Sequence, residues 1–337
     1  MWAFFPRSWQ RRLSAKTIVC ILAACILAFN LWAQLKTRQS SGQLFRHPLD
    51  RSRAYVFYAT NDIYACSVMV NVHILRHTLR TRYRVSVLIS HEVSSDIRRG
   101  LDAMGAAVLV QDPPPLHQDT DVPYYKDCLL KLMAFKMHEL DSSLNQILVL
   151  DSDQLILKNL DDTFDLPAPE FAAPSAYWLG NNQMSSTCML IRPNASLWNR
   201  VEPALASVGV QRYDMDIVND LFRSQNYRLS ESYNTLNSHW EDWNVPHWFR
   251  AENRSSPITS LSPSDEIKPQ PASDQDLKAL YRQAKVLHFS AVGKPWDLSV
   301  AELIKERPNA HPLLQHQWKA WRSTANKICP RHFVDDI

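Results

Sequence analysis

The sequence predicts an α/β fold with a Rossmann-like, mostly parallel central sheet. Three apolar, β-rich segments, 54–62, 84–90 and 106–112, read as strands, and each of the first two is followed by a helical segment. Strands that alternate with helices form parallel βαβ units whose strands are covered on both faces. We therefore expect a sheet whose strands are covered on both faces.

The helices follow from spacing and end signals. Apolar residues recur at helical spacing over 64–79, and 94–105 has a Ser cap and a Gly stop. Helical spacing returns at 124–140, and the apolar run QILVL at 146–150 predicts a further central strand. The segment 311–328 is amphipathic and predicts a helix that packs on the domain.

The N-terminal segment predicts a membrane anchor. Residues 17–35 contain no charged residue and are long enough to cross the hydrocarbon core as a helix. Residues 1–16 carry four basic and no acidic side chains, which favours a cytoplasmic tail and a lumenal remainder. A cleaved signal peptide is the alternative. We divide the remainder into a stem at 36–53, a domain at 54–300 and a helical extension at 301–337.

Charge and cysteine content restrict the class of protein. With 37 basic and 34 acidic residues and a net charge of +3, the chain lacks the broad cationic face of a nucleic-acid binder, so no nucleic-acid partner is expected. Cys66, Cys128, Cys188 and Cys329 follow the apolar run. They can form disulfides in an oxidising compartment or remain buried thiols, and their pairing stays open. The sequons at Asn194 and Asn253 are consistent with a lumenal domain.

Two carboxylates follow the strand at 146–150, in the tripeptide Asp151-Ser152-Asp153. The carboxyl ends of parallel strands are where open α/β sheets bind ligands. In an extended segment Asp151 and Asp153 face one side and Ser152 the other. Two neighbouring carboxylates need a cation between them, and oxygen ligands suit Mg²⁺ or Mn²⁺, which also hold phosphate oxygens. The alternative is a turn or a helix cap.

The segment LVLDSDQLILKNLDDTF resembles the family 8 glycosyltransferases, the group that includes glycogenin. Further matching segments follow the family's order; they are YATNDIYACS, KLMAF, FAAPSAYW, DMDIVN and VLHFSAVGKPW. Together they cover about 55–297. The resemblance implies an A-type glycosyltransferase fold and a nucleotide-sugar donor.

The details resemble the fungal N-acetylglucosaminyltransferase branch labelled glucose N-acetyltransferase. The shared features are AYWL, SSTCMLIRP and DMDIVN. Glycogenin-like members instead carry Asn-Ser-Gly at Ser185, Ser186 and Thr187, and Gln at Met215. These differences argue against a self-glucosylating protein.

The resemblance implies a metal site. The family's ligands correspond to Asp151, Asp153 and His288, a set that suits Mn²⁺, with Mg²⁺ possible. Lys294 resembles the lysine that binds the diphosphate. Without the resemblance, the simpler interpretation of His288 is a structural histidine, and that of Lys294 is a solvated lysine.

The resemblance also implies the donor and acceptor contacts. Thr60, Asn61 and Tyr64 match the turn that holds uracil and ribose, and Lys131 the lysine that reaches the donor. Asp214 matches the aspartate that contacts the sugar and acceptor, with Asp216 as the alternative. Tyr64 can instead be core, Lys131 a solvated lysine, and either aspartate a helix cap. The expected catalytic residues are Asp214, Lys294 and Lys131, and the expected donor-binding residues are Thr60, Asn61, Tyr64, Asp151, Ser152, Asp153 and Lys294.

The resemblance therefore implies a retaining, Mn²⁺-dependent hexosyltransferase that moves N-acetylglucosamine from UDP-GlcNAc to a glycan. The anchor at 17–35 adds a single-pass type II topology, with the catalytic domain in the Golgi lumen. Two alternatives stay open: a family 8 transferase that uses UDP-glucose or UDP-galactose, and a non-catalytic membrane-tethered relative. The Ser- and Pro-rich segment 255–274 predicts a mobile loop.

Overall fold

A computed structural model describes residues 50–120, 125, 127–167, 169–179, 182–249, 268–330 and 333. The predicted tail and anchor, and the predicted stem up to residue 49, lie outside these residues. Within the described part of the chain, no helix combines the length and the apolar character that a membrane crossing requires.

Eleven strands are described within these ranges. They are β1 Asp50–Ala59, β2 Tyr83–Ile89, β3 Ala107–Val110, β4 Gln146–Leu150, β5 Gln154–Ile156, β6 Phe171–Ala172, β7 Cys188–Ile191, β8 Thr235–Leu236, β9 Asn244–Val245, β10 Gln270–Pro271 and β11 Val286–His288. The first four match the predicted strands, and β1 begins at Asp50, inside the predicted stem.

The described α-helices are α1 Asp62–His73, α2 Ser95–Ala103, α3 Met137–Leu140, α4 Ala195–Ala206, α5 Asp214–Phe222, α6 Ser238–Glu241, α7 Asp274–Gln283, α8 Val300–Glu306 and α9 Pro312–Ile328. A π-helical turn, Ile74–Thr78, continues α1, so the predicted helix over 64–79 is found as one continuous helical segment. Ser94 caps α2 through its side chain, as its sequence pattern predicts.

The main sheet has the strand order β3-β2-β1-β4-β7-β6. The pairs among β3, β2, β1 and β4 are parallel, whereas β7 pairs with β4 and β6 with β7 in antiparallel fashion. The mostly parallel sheet is thus confirmed. The chain builds outward from β1 to β3 and then returns to place β4 on the other side of β1. This reversal leaves a crevice beyond the carboxyl ends of β1 and β4.

Both faces of the sheet are buried. In β1, Tyr55 and Phe57 belong to one apolar cluster, and Ala54 and Val56 belong to the other, as alternation along a strand requires. All five residues of β4 are buried. These continuous apolar strands are therefore the covered strands of an α/β fold.

A smaller sheet has the strand order β5-β11-β8, and β5 follows directly after β4 in the chain. β11 pairs antiparallel with β5 and parallel with β8. This pairing brings His288, at the end of β11, opposite Gln154. A distant part of the chain is in this way fixed beside the Asp-Ser-Asp segment.

The predicted α-helix over 124–140 is wrong in its type. Cys128–Lys136 form a 3₁₀ helix, and among the described residues of this segment only Met137–Leu140 are α-helical. A 3₁₀ helix has three residues per turn, so Cys128 and Lys131 align on one face. Most of the segment is buried, and Lys131 lies 2.7 Å from Asp151, the residue that follows β4.

The C-terminal helix α9 belongs to the same core as the sheet. Trp318 and Trp321 are fully buried in the cluster that contains Tyr55 and Phe57. Cys329, which caps α9, forms a disulfide with Cys66 in α1, with Cα atoms 5.6 Å apart. Of the other two cysteines in the described residues, Cys188 is buried and Cys128 partly buried, and both are free thiols.

Part of the predicted mobile segment is ordered. Gln270 and Pro271 form β10, which pairs antiparallel with β9. Ser273 caps α7 through a capping box. Residues 255–267 of that segment lie outside the described residues.

Candidate active site

A cavity of about 290 Å³ lies at the crevice beyond β1 and β4. The predicted site residues that line it are Thr60, Tyr64, Lys131, Asp151, Ser152, Asp153, Asp214 and His288. They come from five separate chain segments, which the sheet order brings to one edge. Ser152, expected to face away, also lines the cavity because residues 151–153 form a bend instead of a regular strand.

Asp151, Asp153 and His288 form a cluster with the geometry of a cation site. One ligand atom from each side chain lies within 4.8 Å of the others. Hard cations bind oxygen at about 2.0–2.6 Å, so ligands on opposite sides of one ion are about 4–5 Å apart. The three side chains are therefore close enough to share an ion.

Backbone pairing fixes two members of this cluster. The carbonyl of Asp153 accepts a hydrogen bond of 3.0 Å from the amide of Phe289, next to His288. His288 Nδ1 lies 3.6 Å from Asp153 Oδ1. That distance exceeds a hydrogen bond but suits two ligands of one ion, and His288 Nδ1 is buried without a hydrogen-bond partner among the described residues.

Lys131 connects two carboxylates behind the cluster. Its Nζ lies 2.7 Å from Asp151 Oδ1 and 2.8 Å from Asp214 Oδ2, and its side chain is only 4% exposed. Ser186 donates a hydrogen bond of 2.5 Å to the same oxygen of Asp214. The expectation that Lys131 might be a solvated lysine does not hold, since the residue is buried.

Burial and charge set the protonation of this group. Burial raises the pKa of Asp151 to about 7, repulsion from Asp153 and Asp214 adds to the rise, and Lys131 opposes it. Although burial alone would lower the pKa of Lys131, the carboxylates of Asp151 and Asp214 raise it well above its usual value, so Lys131 stays charged. For Asp214, burial is outweighed by Lys131 and by hydrogen bonding, and its pKa is lowered.

His288 and Asp153 are shifted in the direction that favours metal binding. Burial lowers the pKa of His288 to about 4, which leaves the imidazole neutral at pH 7. Burial raises the pKa of Asp153, but His288 and Lys294 outweigh it and lower the pKa to about 2. Because His288 is neutral at pH 7, Lys294 is the charge that holds Asp153 ionised there.

Lys294 lies against the cluster rather than in the cavity lining. Its Nζ is 2.7 Å from Asp153 Oδ2 and also donates to the carbonyl of Phe289. Its side chain is 12% exposed, so it is not a solvated surface lysine.

Of the three residues in the predicted nucleoside-binding turn, two line the cavity and one caps a helix. Thr60 and Tyr64 line the cavity, and the Tyr64 ring packs edge-on against Trp296 at 5.4 Å. The side-chain oxygen of Asn61 instead caps α1 by accepting a hydrogen bond of 3.2 Å from the amide of Tyr64. Asn61 is not among the described residues of the lining.

The structure separates Asp214 from Asp216. The side chain of Asp216 accepts a hydrogen bond of 2.9 Å from the amide of Tyr213 and so caps α5. Asp214 is buried and forms an ion pair with Lys131. Both aspartates line the cavity. Asp216 also serves as the helix cap, and Asp214 is the one that contacts Lys131.

Sequence reasoning missed three aromatic residues of the cavity lining, Tyr58, Tyr125 and Tyr213. Trp178, which ends the matching segment FAAPSAYW, also lines the cavity. Tyr58 lies two residues before Thr60, so alternation along the strand placed it on the same face and was a usable signal. Tyr125 and Tyr213 pack together with ring centroids 4.2 Å apart, a contact between distant segments that had no local signal.

The chain is similar in sequence to glucose N-acetyltransferases and to glycogenins. No family model matches the chain. It is 30% identical over 281 residues to glucose N-acetyltransferase 1 of Gibberella zeae, covering 77% of this chain and 57% of the relative. It is 26% identical over 251 residues to glycogenin-1 of Caenorhabditis elegans, covering 74% of this chain and 52% of the relative. The chain thus spans about half the length of these relatives.

A solved structure shares the fold. The galactosyltransferase LgtC, in complex with donor and acceptor sugar analogs, superposes with a TM-score of 0.51 and 16% identity, covering 82% of this chain and 96% of that one. The likeness shows that the central sheet and its helices follow a glycosyltransferase fold. The chain is a relative of the family 8 glycosyltransferases, the group that includes glycogenin, and of the fungal glucose N-acetyltransferases.

Proposed function

We propose that this protein is a retaining, Mn²⁺-dependent hexosyltransferase that moves N-acetylglucosamine from UDP-GlcNAc to a glycan acceptor. The observation that carries the proposal is the cluster of Asp151, Asp153 and His288 at the wall of the cavity. A nucleoside diphosphate is a poor leaving group unless its developing charge is stabilised. A cation site beside a cavity with an aromatic and polar lining meets this need.

The residues fit a divalent cation. Two carboxylates and a neutral imidazole suit Mn²⁺, and Mg²⁺ is the alternative ion. The buried Nδ1 of His288, without a hydrogen-bond partner among the described residues, is explained by a ligand role. When bound, such an ion supplies Lewis-acid stabilisation of the charge that develops on the diphosphate.

The remaining charged residues orient the substrates. Lys131, held between Asp151 and Asp214, presents a permanent positive charge at the cavity wall. Asp214, with its carboxylate fixed by Lys131 and Ser186, is placed to accept a hydrogen bond from a sugar hydroxyl. Lys294, a compact cation on a flexible stem, moves from Asp153 to the diphosphate as it departs.

The cavity favours catalysis by positioning over covalent catalysis. Burial raises the pKa of Cys128 to about 12, so this thiol stays protonated at neutral pH and is a poor nucleophile. The ionised carboxylate of Asp214 forms an ion pair with Lys131, so its negative charge is compensated. We therefore favour attack of the acceptor hydroxyl on the face that the diphosphate leaves, with the departing phosphate oxygen taking the proton.

The donor sugar rests on the resemblance to the fungal branch. Read literally, glucose N-acetyltransferase would name an acetyl transfer, which does not need a diphosphate-binding cation. The cluster at the cavity favours a nucleotide-sugar donor instead. UDP-glucose and UDP-galactose remain competing donors, because the acidic pair contacts the diphosphate and not the sugar.

We place the catalytic domain in the Golgi lumen, anchored by residues 17–35. The uncharged segment and its basic flank support this topology. A disulfide between Cys66 and Cys329 is also typical of an oxidising compartment. If the topology is right, endoglycosidase treatment shifts the electrophoretic mobility of the chain unless Asn194 and Asn253 are both substituted by Gln. An unglycosylated chain that stays in the cytosol contradicts it.

The donor is tested by incubating the purified full-length chain with Mn²⁺ and labelled UDP-GlcNAc, UDP-glucose or UDP-galactose, with a mannose-containing oligosaccharide as acceptor. We expect transfer from UDP-GlcNAc with retained anomeric configuration. Turnover of UDP-glucose alone rejects the donor. If Mn²⁺ and UDP together do not raise the melting temperature of the chain, a non-catalytic relative is favoured.

A further inference from the structure

We infer that Ser67 and Trp321 are positioning residues for the metal cluster. They form a hydrogen-bonded relay, Trp321–Ser67–Ser152, that runs from the C-terminal helix α9 through α1 to the backbone between Asp151 and Asp153. The inference rests on the proposed metal-dependent function. It assigns to α9, which the sequence predicted only to pack on the domain, a role in holding the site.

The polar stripe of α1 is the first part of the argument. Residues Ala65–Val72 of this helix are all buried, yet Ser67 and Asn71, one turn apart, are polar and fully buried. Ser67 Oγ donates to the carbonyl of Ser152 at 2.6 Å. Asn71 donates to the carbonyl of Gln154 at 2.7 Å and accepts from the amide of Ile156 at 3.0 Å. The stripe therefore holds alternate residues along one edge of the segment that follows Asp151.

The opposite edge of the same segment is held by β11. The carbonyl of Asp153 accepts from the amide of Phe289, and Gln154 is paired with His288. The segment that carries Asp153 is thus fixed between α1 on one side and the strand that carries His288 on the other. A change in the contact between α1 and this segment would therefore move Asp153 relative to Asp151 and His288.

Trp321 fixes the direction of the Ser67 hydroxyl. Its indole Nε1 donates to Ser67 Oγ at 3.0 Å. An indole N–H can only donate, and a serine hydroxyl has a single hydrogen. Ser67 must therefore accept from Trp321 and use its own hydrogen for the carbonyl of Ser152. Without the indole N–H, the hydroxyl loses the partner that occupies its acceptor position.

α9 also supports the site through a second set of contacts. Arg322, the next residue, is 2% exposed and donates to the carbonyls of Pro295 and Leu298 at 3.0 and 3.1 Å. These carbonyls belong to the loop that carries Lys294. The disulfide between Cys66 and Cys329 joins the same two helices beside Ser67. Neighbouring residues of α9 therefore support both the Asp-Ser-Asp bend and the lysine that pairs with Asp153.

A purely structural role is the competing explanation, because any buried hydrogen bond contributes to stability. Trp318 supplies the matched control. It lies in the same helix and is fully buried, but its indole nitrogen has no hydrogen-bond partner among the described residues. Trp318→Phe and Trp321→Phe thus make the same chemical change in the same core, and only the second removes a member of the relay.

The test measures Mn²⁺ binding to the purified full-length chain in the presence of UDP, from the loss of the free Mn²⁺ signal in electron paramagnetic resonance. We expect Ser67→Ala to raise the Kd for Mn²⁺ about tenfold, as substitution of outer-shell partners does. Trp321→Phe should raise it less, and Trp318→Phe should leave it unchanged. Because both residues act through one hydroxyl, the double variant Ser67→Ala/Trp321→Phe should bind Mn²⁺ no more weakly than Ser67→Ala alone.

Melting temperatures of the four variants separate positioning from stability. A Kd that changes in Trp321→Phe but not in Trp318→Phe, at a temperature where all four variants are folded, supports the relay. The same Kd in both variants, or an unchanged Kd in Ser67→Ala, overturns it while leaving the proposed function intact. If the unsubstituted chain binds neither Mn²⁺ nor Mg²⁺ with UDP, the proposed function fails and the relay fails with it.

Discussion

Lys131 Nζ lies 2.8 Å from Asp214 Oδ2, which joins the 3₁₀ helix Cys128–Lys136 to the first residue of α5. A second contact of 2.7 Å to Asp151 makes Lys131 the shared cation of two buried carboxylates. Removing one member of a buried ion pair leaves a charge without compensation, and the cost exceeds that of an exposed pair several-fold. Lys131 is therefore both a stability residue and a site residue.

Lys131→Met should lower the free energy of unfolding by about 3–5 kcal/mol, because Asp151 and Asp214 lose their common partner. Urea unfolding followed by circular dichroism measures the change. Lys131→Met/Asp214→Asn should recover part of it, since one of the uncompensated carboxylates is then neutral. Lys136→Met, which removes a partly exposed lysine of the same helix, is the control and should cost less than about 1 kcal/mol. Equal losses in the two lysine variants contradict the prediction.

Asp214 and Asp216 should differ in function although they are two residues apart. Asp216→Ala removes the side chain that caps α5 and should cost about 1 kcal/mol of stability with nearly full turnover. Asp214→Asn should lower turnover by about 10²–10³, since the fixed carboxylate that we propose contacts the sugar is lost. Steady-state transfer assays and thermal unfolding of both variants check this. Full turnover by Asp214→Asn returns the assignment to a cap or core role.

Lys294→Ala should lower turnover by about 10²–10³, the usual loss when one electrostatic stabiliser is removed. Lys285→Ala is the matched control, because Lys285 pairs with Asp162 at 2.8 Å outside the cavity lining. It should leave the rate of sugar transfer unchanged. An unchanged rate in Lys294→Ala would mean that the ammonium group only neutralises Asp153.

Much of the fold was predictable because its signals are local. The apolar strand before Asp151 and the alternation of strands with helices are read from neighbouring residues, and they place Asp151 and Asp153 at the carboxyl edge of a parallel sheet. The family motifs then added His288, which no spacing argument could bring to that edge. The pairing of β11 with β5 supplies the contact.

The rest depends on tertiary contacts that a single sequence does not show. The segment over 124–140 has helical spacing, but within it Cys128–Lys136 form a 3₁₀ helix that contains the buried Lys131. Asn61 matches a nucleoside-binding motif, yet its side chain is used to cap α1. Ser67 and Trp321 lie far apart in the sequence and are joined by one hydrogen bond, so neither residue could be recognised from its local sequence.

His239 should make stability depend on pH through a site outside the proposed metal cluster. The residue is 4% exposed; its Nε2 lies 2.9 Å from the hydroxyl of Tyr177 and its Nδ1 2.5 Å from the side-chain oxygen of Asn244. Asn244 Oδ1 can only accept, so Nδ1 carries the hydrogen and Nε2 accepts from Tyr177. Protonation of Nε2 would bury a charge and would make the Tyr177 hydroxyl give up the hydrogen bond that it donates to Nε2. Burial lowers the pKa of His239 to about 4, against some opposition from Asn244.

The sign of the effect follows from the two protonation states. An exposed imidazole in the unfolded chain titrates near pH 6.5, and the folded-state pKa of His239 is about 4. Between these values the unfolded chain binds a proton that the folded chain does not, so stability is complete above pH 6.5 and decreases as the pH falls toward 4. The full loss is about 3 kcal/mol. Because His288 also titrates low, the measurement is the difference between the unsubstituted chain and His239→Gln in urea unfolding from pH 7.5 to 4. The glutamine keeps a donor and an acceptor but does not titrate, so the difference should shift in favour of the variant as the pH falls, and a pH-independent difference would show that His239 is not buried in its neutral form.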